Sequence, residues 1–234
     1  MRQPVVLRAG TLSFPSPEQA RADGLLAIGG DLAPQRLLSA YAQGIFPWFN
    51  DEDGPILWWS PDPRAVIAPD AVKVSRSLRK RLARADLRVT FDRAFDDVVV
   101  GCAAPRDAAG GTWITSSMRA AYAELHRLGY AHSVETWRGT DLVGGLYGVS
   151  LGRMFFGESM FSRVSDASKV ALVRLAGRLS EWNFDLIDCQ IMNPHLRSLG
   201  AIEVPRREFL LRLRNNPIDA TRVGTWQLDE RPTG

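Results

Sequence analysis

From residue 115 onward the chain reads as a helix, three strands, a helix, a strand, a short helix and a strand. This order narrows the fold more than any other feature. Over 116–128 the apolar positions Met118, Tyr122, Leu125 and Leu128 recur at helical spacing, and Gly129 ends the run. Residues 132–137 alternate, 138–141 turn, 142–149 continue, 150–152 turn again and 153–156 enter a third strand. Connections this short join antiparallel neighbours. Ser165 or Asp166 then caps a helix reaching about Trp182, with Leu172, Leu175 and Leu179 on one face. Residues 186–190 form a strand, 194–199 a short helix closed by Gly200, and a last strand leads into 206–211. The expected class is α+β. Residues 214–234 have little pattern and read as a loosely attached tail.

Upstream the periodicity is weaker. Residues 12–62 are irregular and rich in Pro, Gly and Trp, so 1–63 is expected to form a small loop-rich α/β subdomain and 64–234 the larger domain. Asp31 follows a short strand and is placed to cap a helix over 34–43, with Leu37, Leu38 and Tyr41 inward and Gly44 as its stop. Trp58 and Trp59 read as aromatic core. Trp48, between Pro47 and a loop, is placed to offer a flat face to a ligand. A strand over 88–91 and a helix over 95–102, with Phe95, Val98 and Val99 inward, lead into the regular half.

The third strand carries the most distinctive stretch, Met154-Phe155-Phe156-Gly157-Glu158-Ser159-Met160-Phe161-Ser162-Arg163. Apolar residues with a few placed polar groups suit a pocket wall. They equally suit a core strand followed by an exposed loop, and the stretch alone does not separate the two. Asp188 and Gln190, two apart on a strand, are expected on one face, with Ile187 and Cys189 on the other. His126, His132 and His195 have no spacing that suggests a catalytic group and read as structural or surface residues.

With 234 residues, 45% hydrophobic and 24% charged, the chain is long enough for a full core and ordinary in make-up for a globular protein. Its net charge of +3 permits an acidic partner without requiring one. Cys102 and Cys189 are far apart and suggest neither a disulfide nor a zinc site, so a reduced, cytoplasmic setting is expected. The apolar run at the N-terminus is too short for a signal peptide, and no window approaches the ~20 apolar residues of a membrane span. Lys73, Arg76, Arg79, Lys80, Arg81, Arg84, Arg88 and Arg93 face only Asp86 and Asp92 across 73–93. Such a run is either a solvated face or a footprint for nucleic-acid phosphates.

The order of elements after residue 115 resembles the GNAT acyltransferase fold. Relatives of that fold that use acetyl-CoA hold its pyrophosphate in a Gly-rich loop after the third strand. Here 157–165 has one Gly and bulky Met160 and Phe161 in that place, which disfavours an acyl-thioester donor. A non-catalytic RNA-binding module would use the tryptophans and the basic run but would leave Asp188, Gln190 and Glu158 without a role.

Longer words point to one family. They are Phe14-Pro15-Ser16-Pro17, the run 24–32 (GLLAIGGDL), Gly44-Ile45-Phe46-Pro47-Trp48-Phe49, the run 58–64 (WWSPDPR), Gly111-Thr112-Trp113-Ile114-Thr115, the run 156–163 (FGESMFSR) and Leu186-Ile187-Asp188-Cys189-Gln190. In this order, over roughly residues 10–213, the chain resembles the leucyl/phenylalanyl-tRNA–protein transferases. The resemblance implies an enzyme that moves Leu, Phe or Met from charged tRNA to the N-terminal amine of proteins beginning with Arg or Lys, marking them for N-end-rule degradation. It implies no metal, no ATP and no other cofactor, and a monomer is favoured.

The resemblance also implies roles. Asp188 would polarise Gln190, which helps draw a proton from the attacking amine, and Glu158 would lie near the ester and the acceptor. Trp48 and Trp113 would flank the terminal adenosine. Leu146, Phe155, Met160, Leu172, Leu175, Leu179 and Ile187 would line the aminoacyl pocket. Lys73, Arg76, Arg79, Lys80, Arg81 and Arg84 would meet acceptor-stem phosphates. Aminolysis of an activated ester needs no strong base, because an α-amine of pKa about 7.7–8.0 is partly neutral at pH 7. Positioning alone can supply ~7–11 kcal/mol.

Overall fold

A computed structural model describes residues 3–84, 86–104 and 114–227. In chain order the elements are β1 (Val5–Leu7), β2 (Leu25–Gly29), α1 (Pro34–Ala42), β3 (Phe46–Pro47), β4 (Leu57–Trp59), β5 (Arg64–Ile67), α2 (Arg76–Leu82), β6 (Arg88–Phe91), α3 (Phe95–Ala103) and α4 (Ser116–Arg127). They continue with β7 (Ala131–Arg138), β8 (Asp141–Leu151), β9 (Met154–Ser162), α5 (Ala167–Glu181), β10 (Leu186–Gln190), α6 (Pro194–Ser198), β11 (Ile202–Val204) and α7 (Arg206–Arg214). The class is α+β, with two mixed sheets.

The small sheet runs β1-β2-β4-β3 and the large one β11-β5-β10-β9-β8-β7-β6. In the large sheet β9 and β10 are the parallel pair and the other neighbours are antiparallel. Period-2 alternation sends β9 side chains to both faces. Met154 and Phe156 join the core formed with α1, α3, α4, α7 and the small sheet. Phe155 joins the opposite core, with α2 and α5.

The expected order after residue 115 holds. Thr115 caps α4 by accepting the amide hydrogen of Met118, and Tyr122 and Leu125 are buried on its inner face. Four local expectations need correction. Asp31 does not cap α1, because its carboxylate is taken by the Arg36 guanidinium and the Ala33 amide, and Ala33 holds the cap position. Asp166 sits at the cap of α5 with φ 65 and turns its side chain to Lys169 instead. β9 does not give way to a loop after Phe156, since pairing with β8 carries it to Ser162. Nor is the tail loose over its described part. Trp226 is 5% exposed, stacks on His132 at 3.6 Å, and its amide donates to Asp92 at 2.7 Å.

Four short strands were not evident in the sequence, β1, β3, β4 and β5. β5 matters most. It follows Pro61-Asp62-Pro63, which reads as turn chemistry, yet its four residues are all buried between β10 and β11. Gly44 ends α1 with φ 74, and a Cβ there would meet Leu210 at 2.9 Å, so the α1 stop also lets α7 approach closely.

Candidate active site

The parallel ladder between β9 and β10 runs from Leu186↔Met154 to Asp188↔Phe156 and stops. Both strands leave regular register at that level. On β9, Tyr147 of β8 pairs with Ser159 and Gly148 with Gly157, so Glu158 is an extra residue. On β10, Val66 of β5 pairs with Asp188 and Ala65 with Gln190, so Cys189 is an extra residue. Bulges of this kind bend a strand and re-aim its side chains. The two strands part beyond them, and a cavity of about 1120 Å³ opens in the gap.

The cavity floor is apolar, made by Leu146, Phe155, Met160, Leu172, Leu175 and Ile187. Phe46, Trp48, Phe161 and Arg163 line its walls, and α6 contributes His195 and Leu196. Glu158 and Gln190 supply polar atoms between floor and mouth. Leu179, expected among these residues, is fully buried in the core beneath and is absent from the lining, because the inner face of α5 turns away from the cavity by that position.

Glu158 is 9% exposed, and cations take no part in the hydrogen bonds that hold it. Tyr41 from α1 donates to Oε1 at 2.7 Å, Tyr122 from α4 donates to Oε2 at 2.8 Å, and the Gln190 amide donates to Oε1 at 2.9 Å. The two tyrosine oxygens are 2.5 Å apart. Burial drives the Glu158 carboxyl up to about 7 against these donated bonds, which pull it down, and Asp188 adds a smaller upward push. Burial, then the Glu158 charge, raise the Tyr41, Tyr122 and Tyr147 hydroxyls well above their ordinary value. All three hydroxyls therefore stay neutral at working pH, and Tyr41 and Tyr122 are the two that donate to Glu158.

Asp188 is fully buried, outside the cavity lining, and its partner is Arg64. The guanidinium donates to both oxygens, Nε to Oδ1 at 2.8 Å and Nη2 to Oδ2 at 2.6 Å, in a bidentate pair. Arg64 also donates to the Gly44 carbonyl at 3.2 Å and lies between the Phe46 and Phe209 rings, 4.9 and 4.6 Å from their centres. Asp188 Oδ1 in addition accepts the Gln190 amide N–H at 3.0 Å.

This geometry corrects the expected strand faces. Gln190 has φ 61 and follows the bulge, so Ile187, Cys189 and Gln190 all line the cavity and Asp188 does not. Asp188 reaches Gln190 through the backbone, while the Gln190 side chain turns to Glu158. Arg64 was missed because its strand is four residues long, and a buried aspartate without a named partner was the available signal. Tyr41 and Tyr122 were expected as inward residues but without their polar role. A buried Glu158 needs donors, and hydroxyls on inward helix faces are where they come from.

The other expected positions divide. Trp48 is 40% exposed at the cavity wall, tilted against Trp59 with ring centres 5.7 Å apart, while Trp58 is buried core. Trp59 is only partly buried, packed against the core's edge. Trp113 lies outside the described residues. On α2 and just before and after it, Lys73, Arg76, Arg79, Lys80 and Arg84 are exposed. Arg81 is not available in the same way, since it is buried and paired with Asp86. His132 is buried against Asp92 and Trp226, and His126 stacks on Phe95. Burial lowers the His132 imidazole, which suits a structural role.

Two family models match the chain, the leucyl/phenylalanyl-tRNA protein transferase model over residues 66–214 and that family's N-terminal domain over 30–62. Curated proteins called leucyl/phenylalanyl-tRNA–protein transferase match over most of their length. One from Nitrosospira multiformis is 61% identical over 192 residues, covering 82% of each chain. Another, from Shewanella baltica, is 56% identical over 223 residues, covering 93% of this chain and 92% of the relative. A third, from Anaeromyxobacter sp., is 57% identical over 226 residues, with 95% and 96% covered. Among solved structures, L-PGS from Bacillus licheniformis aligns with 72% of this chain and 54% of its own, at 11% identity and a TM-score of 0.39, too low to bear on the fold.

Proposed function

The chain belongs to the leucyl/phenylalanyl-tRNA protein transferase family, and we propose how its cavity carries out aminoacyl transfer from tRNA to proteins. The donors are Leu, Phe and Met on tRNA, and the acceptors are proteins beginning with Arg or Lys, which the added residue marks for N-end-rule degradation. The enzyme works as a cytoplasmic monomer; among the described residues no helix is long and apolar enough to cross a membrane. Its working units are a small N-terminal subdomain over 1–63 and a GNAT-like catalytic domain over 64–234.

One observation carries this reading: an apolar cavity floor meets one cluster of polar groups where β9 and β10 part. The side chain of the donor residue enters the floor, between Leu146, Phe155, Met160, Leu172, Leu175 and Ile187. Its ester then lies beside Gln190 and Glu158. Flexible Met160 helps one pocket take side chains of different shape, and a methylene more or less changes binding by only ~1–3 kcal/mol. Trp48 stacks on the terminal adenosine, an interaction that needs no sequence code. Lys73, Arg76, Arg79, Lys80 and Arg84 run along acceptor-stem phosphates, which lets one enzyme use several tRNAs.

The acceptor amine attacks the ester carbonyl, a C–N bond forms, the C–O bond breaks, and the ribose oxygen leaves with the electron pair. Arg64 fixes Asp188, Asp188 fixes the backbone of Gln190, and the Gln190 amide is thereby held where it can orient amine and ester. An amide is a poor base, so orientation is its main contribution. Mixing the protein with labelled Leu-tRNA and two peptides, one beginning with Arg and one with Ala, tests the reading. Label should pass to the Arg peptide alone. Transfer to neither would sink the reading, and equal transfer to both would remove its acceptor selectivity.

A further inference from the structure

We propose that Glu158 is the group that takes the proton from the attacking amine and hands it to the leaving ribose oxygen, with Tyr41 and Tyr122 as its positioning residues. This rests on the transfer reaction set out above.

The cluster around Glu158 is short of one hydrogen. Glu158, Tyr41 and Tyr122 form a closed ring of three oxygen–oxygen pairs, at 2.7, 2.8 and 2.5 Å. Each tyrosine brings one hydrogen. With Glu158 ionised, two hydrogens serve three pairs, and one pair goes without. One added proton completes the ring. The proton leaving the amine is that proton, and when the C–O bond breaks it passes to the ribose oxygen, so Glu158 ends as it began. No co-reactant is needed.

The surroundings single out Glu158 for the step. Around it stand Tyr41 from α1, Tyr122 from α4, Tyr147 from β8, and Gln190 and Asp188 from β10, with Arg64 of β5 bound to Asp188. The Arg64 cation is spent on Asp188, which is buried away from the cavity and cannot reach an amine there. Glu158 lines the cavity, and the groups bonded to it are neutral hydroxyls and an amide. Its carboxyl, raised by burial to about 7, matches the range in which an α-amine gives up a proton.

The experiment is single-turnover transfer of Leu from charged tRNA to an Arg peptide across pH, for wild type, Glu158→Gln, Tyr41→Phe and Tyr122→Phe. Wild-type transfer must be seen first, and its absence overturns both this inference and the reading it rests on. Glu158→Gln should lower the rate roughly a hundred- to ten-thousand-fold, the usual effect of removing a proton-transfer group. Each Phe variant should move the acid limb to higher pH. It removes a donor from a charged acceptor, and that effect outweighs removal of the weaker bond between two neutral tyrosines. Its rate should therefore approach wild type at about pH 8.5, whereas a packing defect would depress it at every pH. The peptide amine is the same throughout and cannot cause a difference between variants. A limb that stays put or moves down in both Phe variants, or near-wild-type transfer by Glu158→Gln, overturns the proposal. Infrared titration of 13C-glutamate protein gives an independent check: a carboxyl band titrating near neutral pH should vanish in Glu158→Gln, and its absence in wild type is equally fatal.

Discussion

Two buried carboxylates sit on neighbouring strands, Glu158 on β9 and Asp188 on β10, and the fold treats them in opposite ways. Asp188 is locked to the Arg64 guanidinium by two short bonds and shut off from the cavity. Glu158 has a cavity face and is held by two phenols and an amide. A guanidinium bonded to both oxygens fixes a carboxylate in place and leaves neither oxygen free for a substrate. Neutral donors in a buried place leave a carboxylate divided between its charged and neutral forms near pH 7. The first arrangement makes a strut, and the second makes a group able to take and return a proton.

The largest effect should come from breaking the strut. Arg64→Ala leaves Asp188 buried without its cation, and losing one partner of such a pair costs about 3–5 kcal/mol. Urea unfolding measures this, and a loss below about 1 kcal/mol would mean the two carboxylates are not so different. Next comes the pH dependence of stability. The folded Glu158 carboxyl titrates at about 7, above its ordinary 4.5. Below pH 4.5 it is protonated in both states and contributes nothing. From there to about 7 the unfolded chain ionises first, so the folded state loses roughly 3 kcal/mol, and the loss levels off above 7. Glu158→Gln should erase this slope, so that its stability relative to wild type rises with pH over that window. A difference that stays flat in paired urea titrations would remove the contrast.

Two smaller changes leave both carboxylates alone. Trp48→Ala should raise KM for charged tRNA by about 5- to 150-fold, the equivalent of ~1–3 kcal/mol of stacking, while the pH profile keeps its shape. Unchanged KM would exclude stacking at Trp48. Lys80→Ala should raise KM by a factor of about five or less and make its salt dependence shallower. A shift of the acid limb in this variant would show that the limb does not belong to Glu158.

Much of the frame was legible in the chain. Helical spacing marks α4 and α5, Gly129 marks a stop, and the short connections at 138–141 and 150–152 tie β7, β8 and β9 into an antiparallel meander. The stretch 154–163 left core strand and pocket wall undecided, and both hold: Phe156 is core, while Gly157 through Arg163 line the cavity. Strict alternation failed on β10, where an extra residue on one strand shifts every later side chain and leaves no mark in composition. The tail failed for another reason. A lone Trp226 has no periodicity, and its burial depends on a slot between His132 and Trp182 made elsewhere in the chain.

Local order, the inward faces of the helices, the family and most of the cavity floor follow from residue spacing and from words the chain shares with its family. Those properties are written in neighbours a few positions apart. The chemistry at the centre is not. Asp188 and Arg64 are 124 positions apart, and Glu158 meets Tyr41 and Tyr122 at separations of 117 and 36. Whether a carboxylate becomes a strut or a proton carrier depends on which side chain the packed sheet and helices bring to it. Register, the bulges on β9 and β10 and the packing of α1 against β8 and α4 against β7 decide that, and only the tertiary structure contains them.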